Sequence, residues 1–111
     1  MNIIICGAGK VGYSICNQLS QQGHSVTVID KNGVDIQKIN DTQDAKGIVG
    51  IATYPSILEK AGAKNADMII AVTRNDETNM IVCQVAHSLF KIPRKIARIR
   101  SKEFLKPIWK G

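Results

Sequence analysis

Three glycines near the start of the chain have the spacing of a phosphate-binding loop. Gly7, Gly9 and Gly12 fit the pattern G-x-G-x-x-G within ICGAGKVGYSI, between an apolar run and an amphipathic segment. In such a loop the first glycine permits a tight turn, the second lets the backbone approach a phosphate, and the third lets helix and strand pack closely. The N–H groups and the positive dipole end of the following helix would then face the anion.

An acidic residue follows where a ribose-binding carboxylate is expected. Asp30 ends the run SVTVID, and its distance from Gly7 is close to the roughly 20 residues usual in dinucleotide-binding βαβ units. A carboxylate there accepts hydrogen bonds from ribose hydroxyls and repels a 2′-phosphate, which disfavours NADP. The glycines and the acid together predict a nucleotide or dinucleotide site.

The elements that must position these residues alternate between short apolar runs and helical patterns, which is typical of βαβ units and a parallel sheet. Strands are predicted at residues 2–6, 25–30, 46–49, 67–72 and 95–99, and helices at 10–22, 34–40, 55–61 and 76–90. We predict one α/β domain over residues 1–111, with a Rossmann-like doubly wound parallel sheet in the order 3-2-1-4-5. Asn75 or Asp76 is expected to cap the fourth helix, and Ser101 a final turn that Pro107 stops.

Further ligand contacts are expected from the carboxyl ends of the other strands. The third strand ends before Ile51, Ala52 and Thr53, which would form an adenine wall, and the fourth ends near Thr73. Arg98 and Arg100 alternate with Ile99 near the end of the fifth strand, so both should point to one face. There they either meet a phosphate or form a solvated edge.

The fourth predicted helix has an unusually wide apolar surface. Its apolar residues cover roughly 200° of the helix wheel, against ~100° or somewhat more for a surface helix. They are Ile81, Val82, Cys83, Val85, Ala86, Leu89 and Phe90. The pattern favours a second partner, either another subunit or a further part of the same protein, over a helix covered by its neighbours alone.

The net charge of +6 is concentrated at the end of the chain, since residues 91–111 hold eight of the fifteen basic side chains. This segment has few aromatics and no motif that reads DNA or RNA, so we favour a solvated face or a phosphate site and predict no nucleic-acid partner. No apolar run reaches the ~18 residues that span a bilayer, and the start of the chain does not read as a signal peptide. We therefore expect no direct bilayer insertion. Cys6, Cys16 and Cys83 are expected to be buried, reduced thiols.

Residues that would carry catalysis are scarce. His24 precedes the second strand, at the end of the sheet opposite the glycines, and His87 lies on the polar side of the fourth helix. We find no metal-ligand spacing and no Ser/His/Asp grouping around one ligand, so we predict neither catalytic nor metal-binding residues. The leading hypothesis is a binding module that is not an enzyme. The alternative is the cofactor-binding half of an NAD-dependent oxidoreductase whose substrate domain is missing, and a nucleic-acid contact is a weaker third.

Longer segments carry a more specific resemblance. GAGKVG, AGAKNADMIIAVTRNDETNM and IARIRS together resemble the N-terminal nucleotide-binding domains, called RCK, KTN or TrkA-N domains, of regulators of Trk-type bacterial potassium uptake. The resemblance covers residues 1–105. It implies a regulatory subunit that binds NAD(H) or ATP/ADP, forms a homodimer or larger ring, and gates potassium transport through a membrane-embedded transporter subunit. Its location would be cytoplasmic and peripheral, at the inner face of the plasma membrane.

The resemblance also implies roles for particular residues. The phosphates would be held by Gly7, Ala8, Gly9, Lys10, Val11 and Gly12, and approached by Arg98 and Arg100. Asp30 and Lys31 would hold the adenosine ribose, Ala52 and Thr53 would flank the adenine, and Thr73 would face the nucleotide. Ile51 departs from the family, because many members carry an acid there that can contact the adenine amino group. The family's last strand and C-terminal lobe are not found, so the chain is expected to be a fragment.

Overall fold

A five-stranded parallel sheet forms the centre of the molecule, for which a computed structural model describes residues 1–105. The strands are β1 (Asn2–Cys6), β2 (Ser25–Asp30), β3 (Lys46–Val49), β4 (Met68–Ala71) and β5 (Arg94–Ala97). They lie in the order β3-β2-β1-β4-β5, and every neighbouring pair is parallel. The predicted fold class and strand order are confirmed.

The helices cover both faces of this sheet. They are α1 (Lys10–Gln21), α2 (Gly33–Thr42), α3 (Pro55–Lys60) and α4 (Asp76–Phe90), with short 3-10 turns at Ala63–Asn65 and Lys102–Leu105. Pro55 occupies the start of α3, as predicted, because its missing N–H costs nothing there. Within residues 1–105, none of these helices combines the length and apolar character needed to cross a bilayer.

The core consists of two layers that meet at β1 and β4. Ile4 and Cys6 pack with Leu58 of α3 and Val82 of α4 on one face of the sheet. On the other face, neighbouring side chains of β1 pack with α1 and α2; the residues are Ile3, Ile5, Cys16, Ile36 and Ile39. Since residues 3–6 of β1 are buried on both faces, this part of the strand is continuously apolar rather than alternating.

The fifth strand ends earlier than predicted. Arg98 N still donates to Ala71 O at 2.9 Å, but β4 ends at Ala71 and β5 at Ala97. The expectation that Arg98 and Arg100 alternate along a strand is therefore wrong, because the chain beyond Ala97 leaves the sheet and turns toward α4. The predicted turn after Ser101 is confirmed, with Glu103 N donating to Ser101 Oγ at 3.2 Å. Pro107 lies outside the described residues.

The apolar surface of α4 is only partly covered. Val82 and Ala86 are fully buried, and Val85 and Phe90 pack against the same core. Two residues on the outer side of the helix remain open, with Ile81 50% and Leu89 60% exposed. The neighbouring elements therefore account for part of the predicted arc, and the expected second partner stays a prediction.

Candidate functional site

The carboxyl ends of the first four strands and the segment after β5 surround a cleft of about 770 Å³. This is the edge at which doubly wound sheets bind ligands. All but two of the predicted site residues line it: Gly7, Gly9, Lys10, Val11, Asp30, Lys31, Ala52, Thr53, Thr73, Arg98 and Arg100. The exceptions, Ala8 and Gly12, are buried behind the cleft surface. The structure thus brings together residues that are far apart in the sequence.

Residues 7–12, which we call the glycine loop, have a backbone that admits few other side chains. Gly7 has φ +115°, in the region that favours glycine, and its N–H donates to Ile29 O at 2.8 Å. A Cβ at Gly12 would lie 1.8 Å from Gly7 O, so α1 can approach β1 this closely only with glycine there. Gly9 differs, because a Cβ there would meet no protein atom within 4 Å. Its missing side chain instead leaves space in the cleft.

The N-terminus of α1 is left open toward the cleft. In α2, Asn32 Oδ1 accepts hydrogen bonds from Val34 N and Asp35 N, and in α4 the Asn75 side chain accepts from Thr78 N. The residue before α1 is Gly9, which has no side chain to cap the helix, and the first turn carries no acid. The first N–H groups of a helix need acceptors. At α1 they face a cleft in which an anion would supply them.

Asp30 connects the glycine loop to the turn after β2. Its Oδ2 accepts a hydrogen bond from Ala8 N at 2.7 Å, and its Oδ1 accepts from Asn32 N at 2.8 Å. A carboxylate has about four acceptor sites, so each oxygen can still accept a ribose hydroxyl. Asp30 is therefore suited both to hold the loop and to bind a diol.

The wall after β3 is largely apolar. Ala52 is buried, Thr53 is half-buried, and Ile51 lines the cleft with 43% of its surface exposed. An isoleucine at this position offers contact area to a base but no hydrogen-bond acceptor for an exocyclic amino group. The wall fits a planar apolar surface and does not by itself select among bases.

The wall after β4 depends on a residue that the sequence analysis did not single out. Thr73 lines the cleft, but its hydroxyl donates to Asn79 Oδ1 at 2.6 Å and its N–H donates to the same oxygen at 2.9 Å. Asn79 is fully buried in α4. The hydroxyl of Thr73 is thus engaged by Asn79, and the role of Thr73 toward a nucleotide stays a prediction.

Residues 98–101, which we call the arginine segment, are also attached to α4. Asn79 Nδ2 donates to Arg98 O at 2.9 Å. The Asp76 carboxylate accepts from Arg100 N at 2.9 Å and from Ser101 N at 2.7 Å. These two N–H donors lower the pKa of Asp76, and the nearby Arg100 and Arg98 guanidinium groups lower it further. Asn75 is the cap of α4, so Asp76 is free for this long-range contact.

The charges around the cleft favour an anionic ligand. Cationic side chains line it on several sides: Lys10, Lys31, Arg74, Arg98 and Arg100. The carboxylates in the lining are Asp30 and Asp35, and both oxygens of Asp30 already accept backbone hydrogen bonds. The excess of positive charge beside an open helix N-terminus suits phosphate groups.

The cysteines are placed for packing rather than for nucleophilic chemistry. Burial raises the pKa of Cys6, which is fully enclosed, and raises that of Cys16 to about 11. Cys83 is half-buried, and burial raises its pKa as well. Thiols in such settings stay protonated near neutral pH and react slowly. His24 lies at the opposite end of the sheet, with Nδ1 3.0 Å from the terminal amine of Met1.

Some residues that build the site were missed by sequence reasoning although the sequence carried a signal for them. Asn79 shares the helix face of Val82 and Ala86, and a polar residue within an apolar stripe indicates a buried hydrogen-bonding role. Asn32 directly precedes a helix, where asparagine is a favoured cap. Thr78 lines the cleft from the first turn of α4, and no local pattern distinguishes it.

Comparison with known proteins agrees with this arrangement. The TrkA-N domain model matches residues 3–110. The chain is 46% identical over 111 residues to the Trk system potassium uptake protein TrkA of Azorhizobium caulinodans, covering 100% of this chain and 24% of that protein. It therefore spans about a quarter of the length of that relative.

Solved structures share the fold. The Kef C-terminal domain of Shewanella denitrificans, in an AMP-bound form, superposes with a TM-score of 0.74 at 26% identity, covering 86% of this chain and 57% of that one. The GsuK channel bound to NAD superposes with a TM-score of 0.72 at 22% identity, covering 84% and 17%. Family model, relative and fold agree: the chain belongs to the TrkA-N domain family.

Proposed function

We propose that this chain is the nucleotide-sensing module of a regulator of potassium uptake and has no enzymatic activity of its own. The observation that carries the proposal is the open N-terminus of α1, framed by Asp30 on one side and the arginine segment on the other. Phosphates fit between the α1 N–H groups and the arginines, and the ribose hydroxyls fit at Asp30. We propose NAD(H) as the preferred ligand of this site and ATP or ADP as the alternative ligand.

The relatives support the choice of class. The 46% identical relative carries the name of a potassium uptake protein, and the 26% identical Kef domain is described in an AMP-bound form. We propose that the complete protein is a cytoplasmic regulator, peripheral at the inner face of the plasma membrane. It would act as a homodimer or larger ring on a membrane-embedded potassium transporter subunit. These names give the oxidoreductase alternative no support.

The proposed mechanism is a shift between two conformations of the regulator. A ligand shifts such an equilibrium only by its difference in affinity for the two states. Two nucleotides that contact the arginine segment differently would therefore stabilise different conformations of the regulator. The transporter subunit would respond to this difference with a change in potassium transport. The exposed Ile81 and Leu89 of α4 are our candidates for the contact between subunits.

The test is calorimetric titration of the purified chain with NAD+, NADH, NADP+, ATP and ADP at one salt concentration. We expect NAD+, NADH, ATP and ADP to bind, and NADP+ to bind more weakly. Asp30→Asn should lower the affinity about tenfold, because one oxygen acceptor becomes an amide donor. Asp35→Asn is the matched control, since it removes the same charge from the same cleft and should leave the affinity equal or slightly higher. Absence of binding by all five ligands would refute the proposal.

A further inference from the structure

The arginine segment has left the sheet and is held by side chains of α4. Its last backbone bond to β4 is the one from Arg98 N to Ala71 O. From there, Asn79 holds Arg98 O, and the two oxygens of Asp76 hold the N–H groups of Arg100 and Ser101. Three hydrogen bonds with the side chains of Asn79 and Asp76 thus fix the backbone path of the arginine segment.

Asn79 gives these contacts a rigid base. It is 0% exposed, and its amide is fully used: Oδ1 accepts from Thr73 N and Thr73 Oγ1, while Nδ2 donates to Thr73 O and Arg98 O. Two acceptor sites and two donors are all that a primary amide offers. The loop after β4, the arginine segment and α4 are therefore joined at one buried point.

We propose that Asp76 is a positioning residue for the nucleotide site. Together with Asn79, its carboxylate holds the arginine segment so that Arg98 and Arg100 face the glycine loop across the cleft. The inference rests on the proposed function, because it assumes that the ligand is a nucleotide phosphate. Asp76 does not touch the ligand in this role and acts through the backbone of residues 100 and 101.

The charge of Asp76 and its positioning role predict opposite changes in nucleotide affinity when Asp76 is replaced. The role can therefore be tested. A negative charge beside two arginines weakens the binding of an anion by simple electrostatics, so its removal should strengthen binding. Loss of the hydrogen bonds should instead release the segment and weaken binding, because ordering the arginines would then cost more free energy. The sign of the change in affinity distinguishes the two effects.

The variant Asp76→Asn in the full chain, titrated with ADP and with NAD+, tests this. Asparagine keeps the size of the side chain, but its amide nitrogen cannot accept, so one backbone N–H loses its partner. We expect the affinity to fall about three- to tenfold, the equivalent of one such hydrogen bond. Glu77→Gln is the matched control, since Glu77 lies beside Asp76 and, with Arg74 and Arg100, lines a second cavity of about 580 Å³. It should leave the affinity equal or slightly higher.

A second measurement separates positioning from a general effect on folding. In the background of Arg98→Ala with Arg100→Ala, Asp76→Asn should cause no further loss of affinity, because the groups it positions are gone. In the Asp76→Asn variant, hydrogen exchange at the amides of Arg100 and Ser101 should be faster than in the wild-type chain, while exchange in β1 stays unchanged.

The outcomes distinguish this inference from the proposed function. Wild-type binding with equal affinities for Asp76→Asn and Glu77→Gln would overturn the positioning role and leave the proposed function standing. A full additional loss caused by Asp76→Asn in the arginine-free background would overturn the positioning role in the same way. Absence of nucleotide binding by the wild-type chain would overturn both.

Discussion

The glycine loop and the arginine segment line the same cleft, but they are held in different ways. The glycine loop is fixed mainly by its own backbone, with Gly7 at a positive φ and Gly12 in contact with the carbonyl of Gly7, and Asp30 adds one hydrogen bond at Ala8 N. The arginine segment lies beyond the end of its strand and depends on Asp76 and Asn79 of α4.

Because of this difference, the glycine loop contributes to the stability of the fold, whereas the arginine segment can move at a lower cost in free energy. The glycine loop sits between β1 and α1, so disturbing it disturbs the core on both sides. A segment fixed by a few side-chain hydrogen bonds opens at a lower free energy than a strand or a packed turn. In the proposed site, the glycine loop would therefore be the preformed half and the arginine segment the adjustable half. Three substitutions test this division.

The largest effect is expected from Gly12→Ala. A Cβ would lie 1.8 Å from Gly7 O, so α1 must move away from β1, at a cost of about 3 kcal/mol or more in unfolding free energy. Urea denaturation measures this cost. Gly33→Ala is the control, because a Cβ at Gly33 would meet nothing within 4 Å and should be neutral or stabilising by up to about 1 kcal/mol. Equal stabilities of the two variants would show that the glycine loop is not fixed by packing.

A smaller effect, confined to binding, is expected from Gly9→Ala. No protein atom opposes a Cβ at Gly9, so the unfolding free energy should change by about 1 kcal/mol at most, the scale of a helix-cap substitution. The methyl group would occupy the space in front of the α1 N–H groups, and the affinity for ADP should fall about tenfold or more. Calorimetric titration with ADP measures the affinity, and urea denaturation of the same sample measures the unfolding free energy. Unchanged affinity would mean that phosphates do not approach the loop at Gly9.

The smallest effect concerns the pH dependence of stability at the arginine segment. The folded pKa of Asp76 lies below its ordinary value because Arg100 N and Ser101 N donate to it. A lowered folded pKa means that Asp76 stabilises the fold fully above its unfolded pKa of about 4, and that this contribution is lost as the pH falls through the folded pKa. The stability difference between wild type and Asp76→Asn should therefore shrink as the pH falls from about 5 to about 2. Urea denaturation at several pH values measures it, and a constant difference would argue against the two hydrogen bonds.

The same division explains how much is predictable from the sequence. The strands, the glycine loop and Asp30 carry local signals, because an apolar run, a glycine spacing and an acid at a strand end are written within about 30 neighbouring residues. The sequence allows either Asn75 or Asp76 as the N-cap of α4, since both residue types suit a cap. Only the contact of Asp76 with residues 100 and 101, far along the chain, decides between them.

The predicted end of β5 is wrong for a related reason. Arg98, Ile99 and Arg100 continue the alternating pattern of a strand, but a strand needs a partner, and β4 ends at Ala71. Asn79 and Asp76 then offer the backbone other hydrogen-bond partners. Such competition between a local pattern and distant side chains is not visible in a single sequence.

The central place of β1 in the sheet has a consequence for the synthesis of the protein. Its two neighbours are β2 and β4, so one of its edges stays unpaired until residues 68–71 have left the ribosome. At ~5 to 20 residues per second, roughly 3 to 12 seconds separate the emergence of Cys6 from that of Met68. During that interval the run of Ile3, Ile4 and Ile5 lacks its partner β4, and until residues 25–30 have emerged it lacks β2 as well. Translation speed and chaperone access therefore bear on this strand, which is made before both of the strands that flank it.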